Sequence, residues 1–446
     1  MSQAVARAQP PAPSGSPAPT GRPAPMPAPR VGGTVVPRRR GPGALLRASL
    51  EGTPGRLRLV AAAAAVVCAV LGLVGGEALW SSSAALTRAQ ADVAQVVRVE
   101  QVRSDLLAAD AAATTAFLQG GLEDPARRQA YDAAIDRVGR TIATAATEQP
   151  ADGTALGVLN TQVQQYVALV EQARADNRQG LPLGATYLSQ ASAGLRSGTV
   201  PVLDALSQAN TTRADEELAR SSGGTALALT GALAVVVLLA TMVLLARRSH
   251  RYLNVPLAVA TGLVLVALVA GSVTLAGVRS SVQDAQDQQV AQVLRLTTLR
   301  SAAYDAKANE SLALVNRGNG ASYEAKWKDD SARVQDTAGS LRGDLFTRWS
   351  TYVTRHQAIR KADDDGNWPA AVKLATATDG DSADAAFAVV VTGAGSQLDS
   401  AQTAAADAIT APGTRTTVLG WVLLLLCLGA AVLAVRGVGQ RLEEYR

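Results

Sequence analysis

Residues 225–278 read TALALTGALAVVVLLATMVLLA, then RRSHRYLN, then VPLAVATGLVLVALVAGSVTLAGV. Each apolar run is long enough to cross the ~30 Å hydrocarbon core of a bilayer as a helix. Neither run holds a charge, while the short turn between them carries Arg247, Arg248 and Arg251. Arginines gathered in a short loop mark the cytoplasmic side of a membrane. The stretch therefore reads as a helical hairpin, with spans at 225–246 and 255–277 and a cytoplasmic turn at 247–254. The rest of the chain forms one long arm on each side of it.

Two further apolar runs lie in those arms. One, at 58–80, ends on Glu77 and Trp80; the other, at 416–435, lies between Arg415 and Arg436. The charge distribution selects one topology. Residues 1–58 hold nine arginines against Glu51, and residues 436–446 hold three against Glu443 and Glu444. Loop 81–222 has 12 basic and 16 acidic residues, and loop 278–414 has 14 and 17. The net +5 of the chain is thus a surplus of the segments assigned to the cytoplasm, and the basic balance does not argue for nucleic acid. These patterns predict a multi-pass protein of the cell (plasma) membrane with both termini inside and both large loops outside. Some 58 residues precede the first run, so it is expected to remain as an anchor rather than to be a cleaved leader.

The predicted fold is all-α. Four transmembrane helices carry two tandem extracytoplasmic four-helix bundles, at 81–222 and 278–414, behind a disordered tail at 1–57 and ahead of a short cytoplasmic tail at 436–446. The first tail contains PPAPSGSPAP and RPAPMPAPR, which cannot bury enough apolar surface to offset chain entropy. Arg38, Arg39, Arg40 and Arg47 serve either as a topology signal or as a contact for anionic lipid. The only cysteines, Cys68 and Cys427, fall within spans, so the outer bundles must fold without disulfides. Val67 before Cys68 is too large for a lipoprotein processing site.

In the first loop Val99, Val102, Leu106, Ala109 and Ala113 follow the 3-4 spacing of a bundle seam. Gly120-Gly121 ends that helix, and Asp124-Pro125 starts the next with an N-cap and a proline at the first turn. Breaks at 150–153 and 180–184 complete four helices, near 81–119, 125–148, 154–179 and 183–222. Pro201, with Gly198 before it, is expected to kink the last. The second loop repeats the plan. Arg103-Ser104 aligns with Arg300-Ser301, Tyr166-Val167 with Tyr352-Val353, and Gly180 with Gly366. The chain is an internal duplication, span–bundle–span twice. One chain is then expected to act as a pseudo-dimeric monomer whose two bundles stand side by side.

The sequence carries no enzymatic motif and implies no cofactor. Only His250 and His356 exist, and no cysteine lies outside the spans, which argues against a His/Cys zinc site. Asp363, Asp364 and Asp365 lack EF-hand spacing and read as a solvated turn. Two readings stand for Arg103 and Arg300: a clamp for an anionic ligand, or interhelical ion pairs. Trp368 either anchors a partner or caps its bundle. Leu122, Leu181 and Leu183 in one copy, and Asn319 and Trp368 in the other, sit in turns at the end far from the membrane. They form a candidate docking surface for another protein. Gly72 and Gly76 make a GxxxG pair for close helix packing. Glycines at 75–76, 223–224 and 277, and Pro412-Gly413, read as joints or helix boundaries at the membrane.

A helical bundle between two spans, with Gly366-Asn367-Trp368 and Ala371 at its last turn, resembles the sensor half of chemoreceptors. No HAMP segment or cytoplasmic hairpin follows, in contrast to chemoreceptors. Tandem span–bundle–span architecture over the whole chain resembles the actinobacterial GlnX membrane proteins, and the excess of arginine over lysine fits such a source. The resemblance implies a sensor that partners an amino-acid-binding lipoprotein outside and a soluble Ser/Thr protein kinase inside. A structural scaffold of the envelope, without ligand response, is the competing class.

Overall fold

The computed structural model describes residues 53–443, apart from 121–122, 222–223, 250–253, 342 and 381. Residues 1–52, Leu122 and His250 therefore lie outside the described residues. The described chain is helical throughout. Helix α1 spans Thr53–Phe117, α2 Pro125–Glu148 and α3 Gly153–Arg178. Helix α4 (Leu183–Gly194) passes through a π turn at Leu195–Thr199 into α5 (Val200–Ser221), and α6 spans Gly224–Ser249. In the second half α7 (Val255–Asp284) passes through a π turn at Ala285–Val290 into α8 (Ala291–Val315). Helices α9 (Ala321–Ser340), α10 (Leu345–Asp364), α11 (Trp368–Thr376) and α12 (Ala383–Glu443) follow.

Among the described residues four helical stretches are long and apolar enough to cross a membrane. Their apolar halves pack into one bundle around Ala64, Cys68, Leu71, Leu238, Val264 and Cys427, all buried. Leu229, Val236, Val273 and Leu425 remain exposed on its outside, as a lipid-facing surface requires. The GxxxG pair faces α12. A Cβ on Gly72 would lie 2.8 Å from the Cβ of Cys427, so any side chain there forces the two spans apart. At the end nearest the α6–α7 turn, Asn254 donates to the carbonyl of Gly437 at 2.7 Å and ties the turn to α12.

Several boundaries differ from expectation. Residues 53–57, assigned to the disordered tail, already form the start of α1. Gly75-Gly76, Gly277 and Pro412-Gly413 are not helix ends, because α1, α7 and α12 run through them. Tertiary packing on both sides of each segment outweighs the roughly 1 kcal/mol propensity cost of a glycine. Near Pro201 the helix takes up the strain as the π turn at Leu195–Thr199, which frees the hydrogen bonds that the proline ring disrupts. At 65 and 61 residues, α1 and α12 would each extend more than about 90 Å at 1.5 Å per residue.

Beyond the membrane-spanning bundle stand two four-helix heads. The first is built on Val102, Leu106, Tyr131, Leu159, Val163 and Tyr166. The second is built on Leu296, Leu299, Trp327, Trp349, Tyr352 and Phe387. The heads adjoin along α1 and α8, whose facing stretches are rich in alanine. Thr115 and Ser311 share a hydroxyl hydrogen bond of 2.9 Å there, and Leu312 of α8 enters the first head's core. In both heads the third helix ends on a glycine at positive φ, Gly180 at +69° and Gly366 at +79°. The next residue's N–H then reaches back to Asp176 or Ala362, at 2.9 Å in each case.

The copies part company in helix 4. The first head keeps it continuous through the π turn, whereas the second breaks it at 377–382, a departure from strict repetition. The break follows from ATDGDS at 377–382, which offers two aspartates, a glycine and an N-capping serine. Ser382 Oγ accepts from the N–H of Ala385 at 3.1 Å and so opens α12.

Candidate functional site

Breaking helix 4 leaves the last carbonyls of α11 without intrahelical partners. Two cations meet them. Lys307 Nζ donates to the carbonyl of Ala375 at 3.3 Å, and Arg127, from α2 of the first head, donates to that of Thr376 at 2.7 Å. Across the break, Asp384 in the first turn of α12 lies 2.9 Å from Lys307 and 2.8 Å from Arg127. The start of a membrane-crossing helix is therefore clamped by one cation from each head.

The clamp continues inward. Lys307 donates at 2.7 Å to Glu310, which is 1% exposed. The second Glu310 oxygen accepts from Tyr352 at 3.0 Å and lies 2.9 Å from His356 Nδ1. His356, also 1% exposed, stacks on Trp327 with centroids 3.5 Å apart. Its Nε2 sits 3.1 Å from Glu324. Glu324 opens onto a cleft of about 1140 Å³ between α9, α10 and the tips of α8 and α11. The side chains thus form an unbroken series from that cleft to the first head: Glu324, His356, Glu310, Lys307, Asp384, Arg127.

Electrostatics favour the charged forms of Glu310, His356 and Lys307. Burial opposes ionisation of Glu310, yet Lys307 and His356 outweigh it and hold its carboxyl down at about 2. Burial likewise works against protonated His356, but hydrogen bonds to Glu310 and Glu324 raise the imidazole above its ordinary value. Lys307 is raised in the same way, its desolvation outweighed by Glu310 and Asp384.

A second ionic crossing joins the heads. Asp110 of α1, fully buried, accepts from Ser192, Arg196 and Tyr166 at 2.6, 2.9 and 3.3 Å. Arg196, presented by the π turn, also reaches Asp305 of α8 at 2.7 Å. Burial raises the Asp305 carboxyl, with Arg196 opposing.

The residues singled out from the sequence fall at several places. Leu181 and Leu183, 45% and 57% exposed, occupy the tip of the first head. Asn319 is exposed in the α8–α9 turn. Trp368 is half-buried: its indole donates to the carbonyl of Leu314 at 2.9 Å, and the Arg317 guanidinium lies 3.4 Å over its ring. Arg103 pairs with Asp204 and with Glu100, the latter at 3.5 Å. Arg300, its counterpart, keeps a buried Nε without a hydrogen-bond partner. Asp363 and Asp364 answer Arg360, and Asp365 answers Lys361, each at 2.8 Å.

Lys307, Glu310, His356, Asp384 and Arg127 escaped the sequence reading. For two of them a signal is present, since Lys307 and Glu310 stand one turn apart inside the seam of α8, where the first head has Asp110 and Ala113.

Two helical heads raised on helices long and apolar enough to cross a membrane, with ions joining the heads, define a helical membrane protein. Residues 85–219, within the first head, match the family model described as an actinobacterial sensor domain. With four apolar helices attached, that match supports a multi-pass membrane sensor of actinobacterial type. No curated protein and no solved structure matches the chain.

Proposed function

We propose that the protein is a non-enzymatic receptor of the plasma membrane, with the heads outside and both termini and the 247–254 turn in the cytoplasm. The distal tips receive the signal from a lipid-anchored, amino-acid-binding protein that docks on Leu181 and Leu183 of the first head and on Asn319 and Trp368 of the second. The output passes to a cytoplasmic Ser/Thr protein kinase. The continuity of α1 and α12 carries this reading, for each runs as one helix between its head and its span. A displacement of either helix in the head must move its membrane segment, because an α-helix transmits axial motion without a joint. The arginine asymmetry supports the orientation.

The experiment has two parts. Asn319→Cys is expected to react with a membrane-impermeant maleimide on intact cells, and Arg247→Cys only after permeabilisation; the reverse pattern overturns the orientation. Replacing Leu181 and Leu183 with Ser is expected to abolish capture of the purified lipoprotein while leaving thermal unfolding unchanged. Retained capture, or lost stability with retained capture, overturns the docking surface.

A further inference from the structure

The cleft at the tip of the second head has a counterpart in the first, and the two have diverged. In the first head the space is about 350 Å³ and is closed by Arg174, which pairs with Glu123 at 3.1 Å and Glu171 at 2.8 Å. Register along α3 and α10 places Arg360 at the position of Arg174, and His356 at that of Val170. Register along α2 and α9 places Glu324 at the position of Arg128. The second head thus has a buried imidazole and a carboxylate where the first has Val170 and Arg128, and its more open cleft measures about 1140 Å³.

The Glu324 carboxylate rests in a cradle of cations. His356 Nε2 lies 3.1 Å away, Arg360 Nε 3.6 Å and Lys328 Nζ 3.8 Å. Only the first is a close contact; the other two lie beyond hydrogen-bond distance and leave donor capacity unspent. The seat is built for a carboxylate, and the one in it hangs from a flexible side chain at the first turn of α9. At the mouth, Arg317 lies flat on Trp368, whose indole is fixed to the carbonyl of Leu314. Among the described residues Arg317 is the one cation lining this cleft without a carboxylate partner. Stacking fixes the guanidinium plane and leaves its N–H edge free, which is how arginine is preorganised for a bidentate oxyanion. The rim aspartates offset Arg360 and Lys361, with which they are paired, and not Arg317.

We propose that this cleft is a binding site for a carboxylate, in which Arg317 clamps the incoming group and Glu324 is the internal carboxylate that it displaces. When the ligand takes the cradle, Glu324 leaves His356. Glu310 then holds the His356 ring alone, and the series through Lys307 shifts at Asp384, where α12 begins. The proposal rests on the heads being the receiving end of a sensor, and it is independent of lipoprotein docking at Leu181 and Leu183.

The test uses the full chain in lipid nanodiscs at constant ionic strength, with titration calorimetry. The probes are glutarate, a blocked tetraglutamate peptide and, as a cation control, butylammonium. Glutarate or the peptide is expected to bind saturably, and butylammonium not at all. Arg317→Ala is expected to weaken binding by roughly tenfold or more, the loss of one charge-assisted contact. Glu324→Gln is expected to tighten it, because the internal competitor is gone, whereas a purely structural Glu324 would leave it unchanged. Glutarate binding assigns a free small molecule as the source; binding of the peptide alone assigns a partner's acidic side chain. Arg317 is exposed, so its variants keep the test open if Glu324→Gln unfolds. No saturable carboxylate binding in either the parent chain or Glu324→Gln overturns the proposal, as does binding indifferent to Arg317→Ala. Capture of the lipoprotein retained after Leu181 and Leu183 are replaced, with carboxylate binding intact, would instead count against the docking surface alone.

Discussion

The two heads share a helix plan and differ in what they bury. At matching register the first head places Ala113, Ala134, Val163 and Val170 where the second places Glu310, Asp330, Trp349 and His356. Asp110 is a charge buried within the first head's own core, and Lys307 stands at the same point of the second with the opposite sign. The first head buries carboxylates of its own, Asp105, Asp110 and Asp152, but each is paired with an arginine that stays partly exposed, Arg137, Arg196 or Arg213. The second, around an apolar core, buries both members of an ion pair, Lys307 and Glu310, together with His356, and a buried ion left unpaired costs several kcal/mol. A head of the second kind has a few discrete arrangements rather than many, which is what a receiver needs if one event at the cleft is to be felt at α12.

Removing one link should break the comparison most severely. Lys307→Met leaves Glu310 buried with only His356 and Tyr352, and leaves the Ala375 carbonyl open. The expected cost is about 3–5 kcal/mol, read as a large fall in the unfolding temperature. Head-specific detection is available because Trp327, Trp349 and Trp368 all lie in the second head, while the first has no tryptophan. A loss under 1 kcal/mol would mean that the ionic series contributes little to the second head.

A smaller effect should come from pH, again confined to the second head. The folded state raises His356 above its ordinary 6.5, so the stability it lends is complete below that value and is lost as pH rises through the raised one. Burial, then Asp305, pushes Asp330 up to about 6 against the opposing Arg333, so its neutral form also favours the acid side. Glu310, at about 2, loses its contribution only as pH falls below the usual glutamate value of 4.5, outside this window. The groups facing the ring are Glu310 from α8 and Glu324 from α9. Tryptophan-detected unfolding is thus expected at lower temperature at pH 8 than at pH 6. His356→Gln is expected to flatten most of the dependence, and an unaltered slope in that variant would assign it elsewhere.

The smallest effect is expected on the outside of the first head. Arg128 pairs with Asp132 at 3.0 Å and with Glu171 at 3.1 Å, all three well exposed. Arg128→Ala should change stability by no more than about 1 kcal/mol, even though it occupies the register of Glu324. A larger loss, measured by denaturant titration, would show the first cleft to be more than a remnant of the duplication.

What the sequence determined by itself was everything set by composition and period. Uncharged runs of about twenty residues locate the spans because hydrocarbon excludes charge. The 3-4 apolar spacing, with Asp124-Pro125, Gly180 and Gly366 at the breaks, locates the helices because caps and left-handed glycines are local chemistry. The shared order of these marks reveals the duplication. Only the tertiary structure decided which polar residues are buried, and with what. Asp110 and Lys307 are buried among partners of their own heads that lie far away in sequence, and Asp305 is partly covered on a face of α8 because Arg196 of the first head packs there. Arg127 reads as an ordinary first-turn arginine until a helix break about 250 residues away supplies the Thr376 carbonyl and Asp384. Long-range partners of this kind leave no periodic trace in the chain, since hydrogen-bond and ion-pair energies depend on distances that only the packed heads create.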